Sequence, residues 1–138
     1  MKRRLSDRGA ATTELVLLAP VVIVALLFIV ALGRLASARQ DVEAAARDAA
    51  RAAANARTAP AARSDGEAAA KAALQEGGMH CRHLNVDVPT DDFRAGGIVT
   101  ATVSCTVDLG DLTGLRMPTS RTITASFTVP IDRYRGVS

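Results

Sequence analysis

The sequence predicts an α+β protein. A long N-terminal helix crosses a membrane and continues as a stalk, and a second short helix and a small antiparallel sheet of three or four strands follow. Three patterns support this class. The 18 residues from Leu15 to Leu32 carry no charge. An alanine-rich, strongly helix-forming stretch comes next. In the last third, apolar and polar residues alternate as they do in half-buried strands.

The uncharged run is long enough to cross a bilayer. At ~1.5 Å per residue it spans roughly 27 Å, which is close to the hydrocarbon thickness. A core helix of a soluble protein would show a polar face, and this run has none. Pro20 lies in its first third and is expected to kink the helix, which membrane helices tolerate.

The excess positive charge of the chain lies directly before this run. The chain has 17 basic and 14 acidic residues, and the first nine positions hold four of the former and one of the latter, leaving 13 of each elsewhere. The four basic residues are Lys2, Arg3, Arg4 and Arg8. By the positive-inside rule they place the N-terminus in the cytoplasm and the C-terminal part outside. This distribution argues against a nucleic-acid-binding face.

The composition divides the chain into five segments. We expect a basic leader over residues 1–9 and a transmembrane helix over 10–33. An alanine-rich helical stalk over 34–57 continues that helix, so that one helix runs from about Ala11 to Ala56 and leaves the bilayer as a rod, with or without a partner. Residues 58–65 are expected to be a linker, and 66–138 an extracytoplasmic α+β domain whose helix covers Gly66 to Glu76.

Three segments of that domain alternate with period two. They are Leu84–Val88, Ile98–Leu109 and Arg121–Val129, with Asp92–Gly97 and Gly110–Pro118 as loops. Threonine-rich positions form the outer face of the predicted sheet. The residues expected to face inward are Val99, Ala101, Val103, Cys105, Val107 and Leu109 in the second segment and Ile123, Ala125, Phe127 and Val129 in the third.

Two cysteines, Cys81 and Cys105, are the only pair, and the predicted topology places both outside the cytoplasm, where disulfides persist. We therefore expect a bridge between the start of the sheet domain and its central strand. The alternative is a metal site formed by both cysteines with His80 and His83. Their spacing matches no standard zinc pattern, so we favour the bridge and expect no metal.

No enzyme motif is present: the chain lacks a Gly-rich phosphate loop, GxSxG and HExxH. We therefore expect no catalytic residues, no cofactor and no small-molecule substrate.

One motif stands immediately before the apolar run. Arg8 and Gly9 are followed by four residues and then by Glu14, and an acid at the head of a membrane helix costs a few kcal/mol without a partner. This arrangement resembles the processing site of type IV prepilins. The resemblance implies that a membrane-embedded aspartyl peptidase cuts between Gly9 and Ala10 on the cytoplasmic side. Glu14 would then be the fifth mature residue, paired with the new Ala10 amine of a neighbouring subunit.

The wider pattern RGAATTELVLLAPVV, followed by Gly33-Arg34, resembles the TadE-like proteins of tight-adherence (Flp) pilus systems. The C-terminal string from Arg121 to Gly136 also resembles the tail of such proteins. One departure is Thr13-Glu14-Leu15, where the family often has Val-Glu-Phe. The resemblance implies a minor pseudopilin, anchored in the cell membrane and then present in or near a surface pilus. Its partners would be a prepilin peptidase, other pilin or pseudopilin subunits and an inner-membrane assembly platform.

Two other functions stay open from the sequence. The first is a permanently anchored module whose outer domain binds another envelope component. The second is a small secreted protein released by signal peptidase after Ala38, within the pattern Ala36-Ser37-Ala38. The apolar run exceeds the about 7–15 residues usual for a signal peptide, and Arg34 interrupts the stretch before the site. Both points favour a retained anchor.

Overall fold

The computed structural model describes residues 7–108 and 120–134, with side chains from Val16 onward. Two helices and three strands follow one another along the chain, and the strands form one antiparallel sheet in the order β1-β2-β3. The elements are α1 (Asp7–Asn55), α2 (Ala59–Glu76), β1 (His83–Asp87), β2 (Ile98–Asp108) and β3 (Ser120–Pro130). The predicted α+β class is confirmed. The predicted loop Gly110–Pro118 and the inward position of Leu109 lie outside the described residues.

Helix α1 is one uninterrupted element of 49 residues, which corresponds to about 73 Å. It begins at Asp7, before the expected start at Ala11, and continues through Pro20. Its two halves differ in surroundings, because the apolar side chains from Val16 to Leu32 are largely exposed, whereas one face of the helix beyond Ala38 is buried. The predicted continuity between the apolar segment and the stalk is therefore confirmed.

The upper half of α1 is the centre of the folded domain. Residues 34–57 continue the helix as predicted, and of the two possibilities left open the one with a partner is found, because α2 and the sheet pack directly against this part of α1. Its buried positions recur with helical spacing and are almost all alanine. They are Ala38, Val42, Ala45, Ala46, Ala49, Ala50, Ala53 and Ala54.

The segment predicted as a linker, residues 58–65, is helical from Ala59 onward and forms the first two turns of α2. Thr58 is the N-cap of this helix, because its hydroxyl accepts a hydrogen bond from the Ala61 amide at 3.3 Å. Pro60 lies in the first turn, where its missing N–H costs nothing. The composition of this segment favours a loop, but Thr58-Ala59-Pro60 before an alanine-rich run is also typical of a helix N-terminus.

Helix α2 packs closely against α1 through Gly66. A Cβ atom added there would lie 3.2 Å from the Ala49 carbonyl oxygen and 3.6 Å from the Cβ of Ala53. The closest neighbour of such an atom would be Cγ2 of Val88 at 3.1 Å, so a larger residue at this position would require its neighbours to shift by a few tenths of an ångström. The helix ends as predicted at the two glycines, and Gly78 has a φ of 70°. The Met79 amide donates to the Leu74 carbonyl and the Gly78 amide to that of Gln75, as in a Schellman motif.

The sheet has one apolar and one hydroxyl-rich face, as the alternation predicts. In the central strand β2, Val99, Ala101, Val103, Cys105 and Val107 are buried against the helices. Ile123 of β3 is also buried, and the other three inward residues of that strand are half-buried. On the outer face, hydroxyl groups pair across β2 and β3 at 2.9–3.0 Å. The pairs are Thr100–Thr128, Ser104–Thr124 and Thr106–Thr122.

Strand β3 runs alongside α1 in the same direction. Near its beginning, Arg121–Ala125 line a groove together with Leu35, Arg39 and Glu43 of α1. Near its end, Val129 and Pro130 line another with Arg51 and Asn55. The start of β3 is consequently the end of the sheet nearest to the apolar segment.

We predict that Ala49→Leu destabilises the domain, because an isobutyl group does not fit between α1 and α2. Overpacking of this kind costs about 1–3 kcal/mol, or a melting temperature lower by at least about 5 °C. The measurement is thermal unfolding of the full chain in detergent micelles, followed by circular dichroism. Ala44→Leu, on the exposed face of the same helix, is the matched control and is expected to stay within about 0.5 kcal/mol. Equal melting temperatures for both variants would contradict the central position of α1.

Candidate functional site

The residues of the predicted processing motif lie in the first turns of α1. The described backbone is helical from Asp7, so Arg8, Gly9, Ala10 and Glu14 are all within the helix. Lys2, Arg3 and Arg4 lie outside the described residues. The structure thus places the peptide bond between Gly9 and Ala10 on a helix that leads directly into the apolar segment. Glycine is the weakest point of such a helix, since it costs about 1 kcal/mol relative to alanine.

The apolar segment that follows has no protein partner in the structure. Its large side chains are more than half exposed with few exceptions; Leu17, for example, is 70% exposed. This continuous surface is far larger than the apolar patches that soluble monomers expose. In the described part of the chain, α1 is the one helix that is long and apolar enough to cross a membrane. The exposed segment fits a single-pass membrane anchor.

Two open grooves flank α1 just above this anchor. The first, of about 610 Å³, lies between α1 and the turn that follows α2, and its polar lining includes Arg34, Asp41 and His80. The second, of about 240 Å³, lies between α1 and the start of β3, and its lining includes Arg39 and Arg121. The sequence interpretation did not identify either groove, because each joins residues that are far apart along the chain.

The disulfide between Cys81 and Cys105 is present and joins the residues before β1 to the central strand, with 5.3 Å between the two Cα atoms. Cys105 is fully buried, and its Sγ lies 3.6 Å from the Sδ of Met79. Both sulfur atoms are bonded to each other, so neither is a thiolate ligand for the metal site considered as the alternative. In the described ranges, no three His, Cys, Asp or Glu side chains are grouped to hold a metal ion.

The ion pairs of the domain are on its surface. Glu43 and Arg47 are 3.7 Å apart on α1, and Glu67 and Lys71 are 2.6 Å apart on α2. Arg82, which precedes β1, contacts Asp108 at the end of β2 at 3.2 Å. Exposed pairs of this kind contribute about 0–1 kcal/mol each. The position of the domain on its anchor is therefore determined mainly by apolar packing around α1.

Comparison with protein-family models gives a match over the N-terminal part of the chain. Residues 9–51 match the family model of the TadE-like proteins. The matched region begins at Gly9, includes Ala10, Glu14 and the whole apolar segment, and ends within the buried half of α1. The match supports the resemblance to the TadE-like proteins that the sequence shows over the apolar helix and its N-terminal flank. The chain has no match among the curated proteins or among the solved structures.

We predict that reduction of the disulfide lowers the stability of the domain by about 3 kcal/mol, because the bridge closes a loop over a sequence separation of 24 residues. The measurement is the guanidinium chloride midpoint of the full chain in detergent, with and without dithiothreitol. A Cys81→Ala/Cys105→Ala double variant is the control and is expected not to respond to the reductant. An unchanged midpoint for the parent chain, after complete reduction is verified by thiol labelling, would contradict this role.

Proposed function

We propose that the chain is a minor pseudopilin of a tight-adherence (Flp, type IV-like) pilus system, anchored by α1 and processed by a prepilin peptidase between Gly9 and Ala10. The observation that carries the proposal is the glycine-to-glutamate spacing at the head of an exposed apolar helix, within the region that matches the TadE-like family. Its role is structural: the outer domain is presented to other subunits, and no catalytic step is assigned to it.

Processing is a hydrolysis of the peptide bond that follows Gly9. Water adds to the Gly9 carbonyl carbon, the C–N bond breaks, and the products are a Gly9 carboxylate and an Ala10 ammonium group. A peptidase requires the helix to open locally at this bond. Glycine lowers the cost of that opening, because it stabilises the helix least of all residues except proline.

The same cut supplies a partner for Glu14. A carboxylate at the membrane boundary is costly when it is unpaired, and the new Ala10 amine carries the opposite charge at the same end of the helix. In an assembly of parallel copies, the amine of one subunit neutralises Glu14 of its neighbour when the helices have the correct register. Glu14 therefore favours assembly over the isolated subunit.

The structure disfavours release by signal peptidase after Ala38. The residues Ala36-Ser37-Ala38 lie within the continuous helix α1, and Ala38 is only 3% exposed in the domain core. Cutting there would separate the anchor from the packed half of α1 and would remove Ala38 from the domain core. Retention of the anchor agrees with this arrangement, whether or not the leader is removed.

We predict that Gly9→Ala blocks processing without affecting membrane insertion. The measurement is mass spectrometry of the N-terminus after co-expression with a prepilin peptidase: the parent chain is expected to begin at Ala10, and the variant at Met1. Gly33→Ala is the matched control, because a Cβ atom added at Gly33 meets nothing within 4 Å, and it is expected to be processed normally.

A parent chain from native cells that begins at Met1 would support the permanently anchored module instead, and one that begins at Arg39 would support secretion. Normal processing of Gly9→Ala would also count against the prepilin-type site.

We predict that Glu14→Gln separates processing from assembly. The variant is expected to be cleaved normally and to remain in the membrane, whereas its amount in sheared surface filaments, or in complexes with other pilin subunits, falls at least about tenfold, since losing a desolvated ion pair costs more than 1.4 kcal/mol. Glu76→Gln, at the exposed end of α2, removes the same charge far from the anchor and is the control. Unchanged recovery of both variants would contradict the role assigned to Glu14.

A further inference from the structure

Two arginines from distant parts of the chain meet beside α1. Arg39 of α1 and Arg121 of β3 line the same groove, and both residues are exposed. Glu43 lines it too, but its carboxylate is 3.7 Å from Arg47. Within residues 16–108 and 120–134, neither Arg39 nor Arg121 takes part in an ion pair within 4.0 Å. As far as the described residues go, this side of the domain therefore presents two positive charges without a counter-ion.

Both charges are close to the membrane boundary. The apolar segment ends at Leu32, and Arg39 follows seven residues later on the same helix, about 10 Å higher at ~1.5 Å per residue. Side chains of a helix point towards its N-terminus, so that of Arg39 is directed back to the bilayer. Arg121 pairs with Val107, which lines a groove with Val30 and Arg34. Arg121 therefore lies about as far from the apolar segment as the first turns of α1 that follow that segment.

We propose that the Arg39–Arg121 face is a docking surface for the headgroups of anionic phospholipids. The polar zone of a leaflet is roughly 5–7 Å thick, and a long arginine side chain reaches into it while its Cα atom stays above. Guanidinium groups form bidentate hydrogen bonds with phosphate, which makes arginine suited to this contact. The contact seats the β3 side of the domain on the bilayer and limits the freedom of the domain around its anchor.

The other side of α1 has a different charge. The groove there contains Asp41 and Asp108 together with Arg34, and Asp108 contacts Arg82 at 3.2 Å. These two acidic and two basic side chains balance one another, so this side has no excess positive charge to attract an anionic surface, and the two sides of the domain interact unequally with such lipids. The seated orientation consequently brings β3, and not β1, nearest to the membrane. The proposal rests on the membrane anchor alone and does not require processing at Gly9.

The test uses the full chain in vesicles of phosphatidylcholine, with or without phosphatidylglycerol, that contain a small fixed fraction of headgroup-spin-labelled phosphatidylcholine. The chain has no tryptophan, so Ser120→Trp supplies a single fluorescent reporter next to Arg121. We expect phosphatidylglycerol to increase quenching of this reporter, and high salt to reverse the increase. A second reporter, Ser126→Trp, lies further along β3 and is expected to respond less.

The charge requirement is tested in the Ser120→Trp background. Arg39→Gln/Arg121→Gln is expected to abolish the response by lowering the ratio of seated to unseated domains about 30-fold. Arg51→Gln/Arg57→Gln removes the same charge from exposed positions at the far end of the domain and is expected to retain the response. Quenching that is independent of phosphatidylglycerol, or reduced equally by both double variants, would overturn the proposal. The proposal would also be overturned if quenching increased with the number of protein chains per vesicle and not with the fraction of phosphatidylglycerol, since that result would indicate contact between copies of the chain.

Discussion

The packing of α2 and the sheet on the alanine-lined face of α1 is the interaction on which the rest of the structure depends. The same helix contains the exposed apolar segment and the centre of the folded domain. The two parts therefore have no flexible connection within the described residues, and the orientation of the domain follows that of the anchor. In an assembly, a rotation or displacement of the anchor is transmitted directly to the surface that the domain presents.

This core is closely packed but provides limited hydrophobic stabilisation. Alanine supplies more than half of the buried apolar residues in the described ranges, and a methyl group removes little surface from water. Small side chains instead allow α1 and α2 to approach until Gly66 lies against the backbone of Ala49. The disulfide at Cys105 joins the central strand to the turn after α2, at the end of the domain where the chain leaves the second helix. The disulfide and the close packing of the two helices thus add to the modest stability that the alanine-rich core provides.

The sequence predicted the class of the fold, the anchor, the alternation of β2 and β3, and the disulfide. Each of these has a strong local signal: an uncharged run, a period of two, or a single possible cysteine pair. It left open whether residues 34–57 pack against a partner, because alanine suits an exposed helix as well as a close helix contact. The spacing of Ala38, Val42, Ala45 and Ala49 between charged residues was the available signal. The helical start at Ala59 was missed because Thr58 and Pro60 are as common in loops as at helix N-termini.

The candidate site could be predicted only in part, for a related reason. The processing motif is contiguous from Arg8 to Glu14 and can be recognised without a fold. Arg39 and Arg121, in contrast, become neighbours through the hairpin of β2 and β3 and the packing of that hairpin on α1. No pattern in the sequence relates two arginines at that separation.

The direction of β3 relative to α1 also restricts how copies of the chain can associate. Among the described strands, β3 is an edge strand of 11 residues, and an unpaired edge of this length is a template for further strand pairing. Copies anchored in one bilayer all have the same polarity, so their β3 strands run in the same direction. Antiparallel pairing of two such edges would require one copy to be inverted, and the anchor prevents this. Membrane insertion therefore excludes the commonest form of edge-to-edge aggregation for as long as the helix remains in the bilayer.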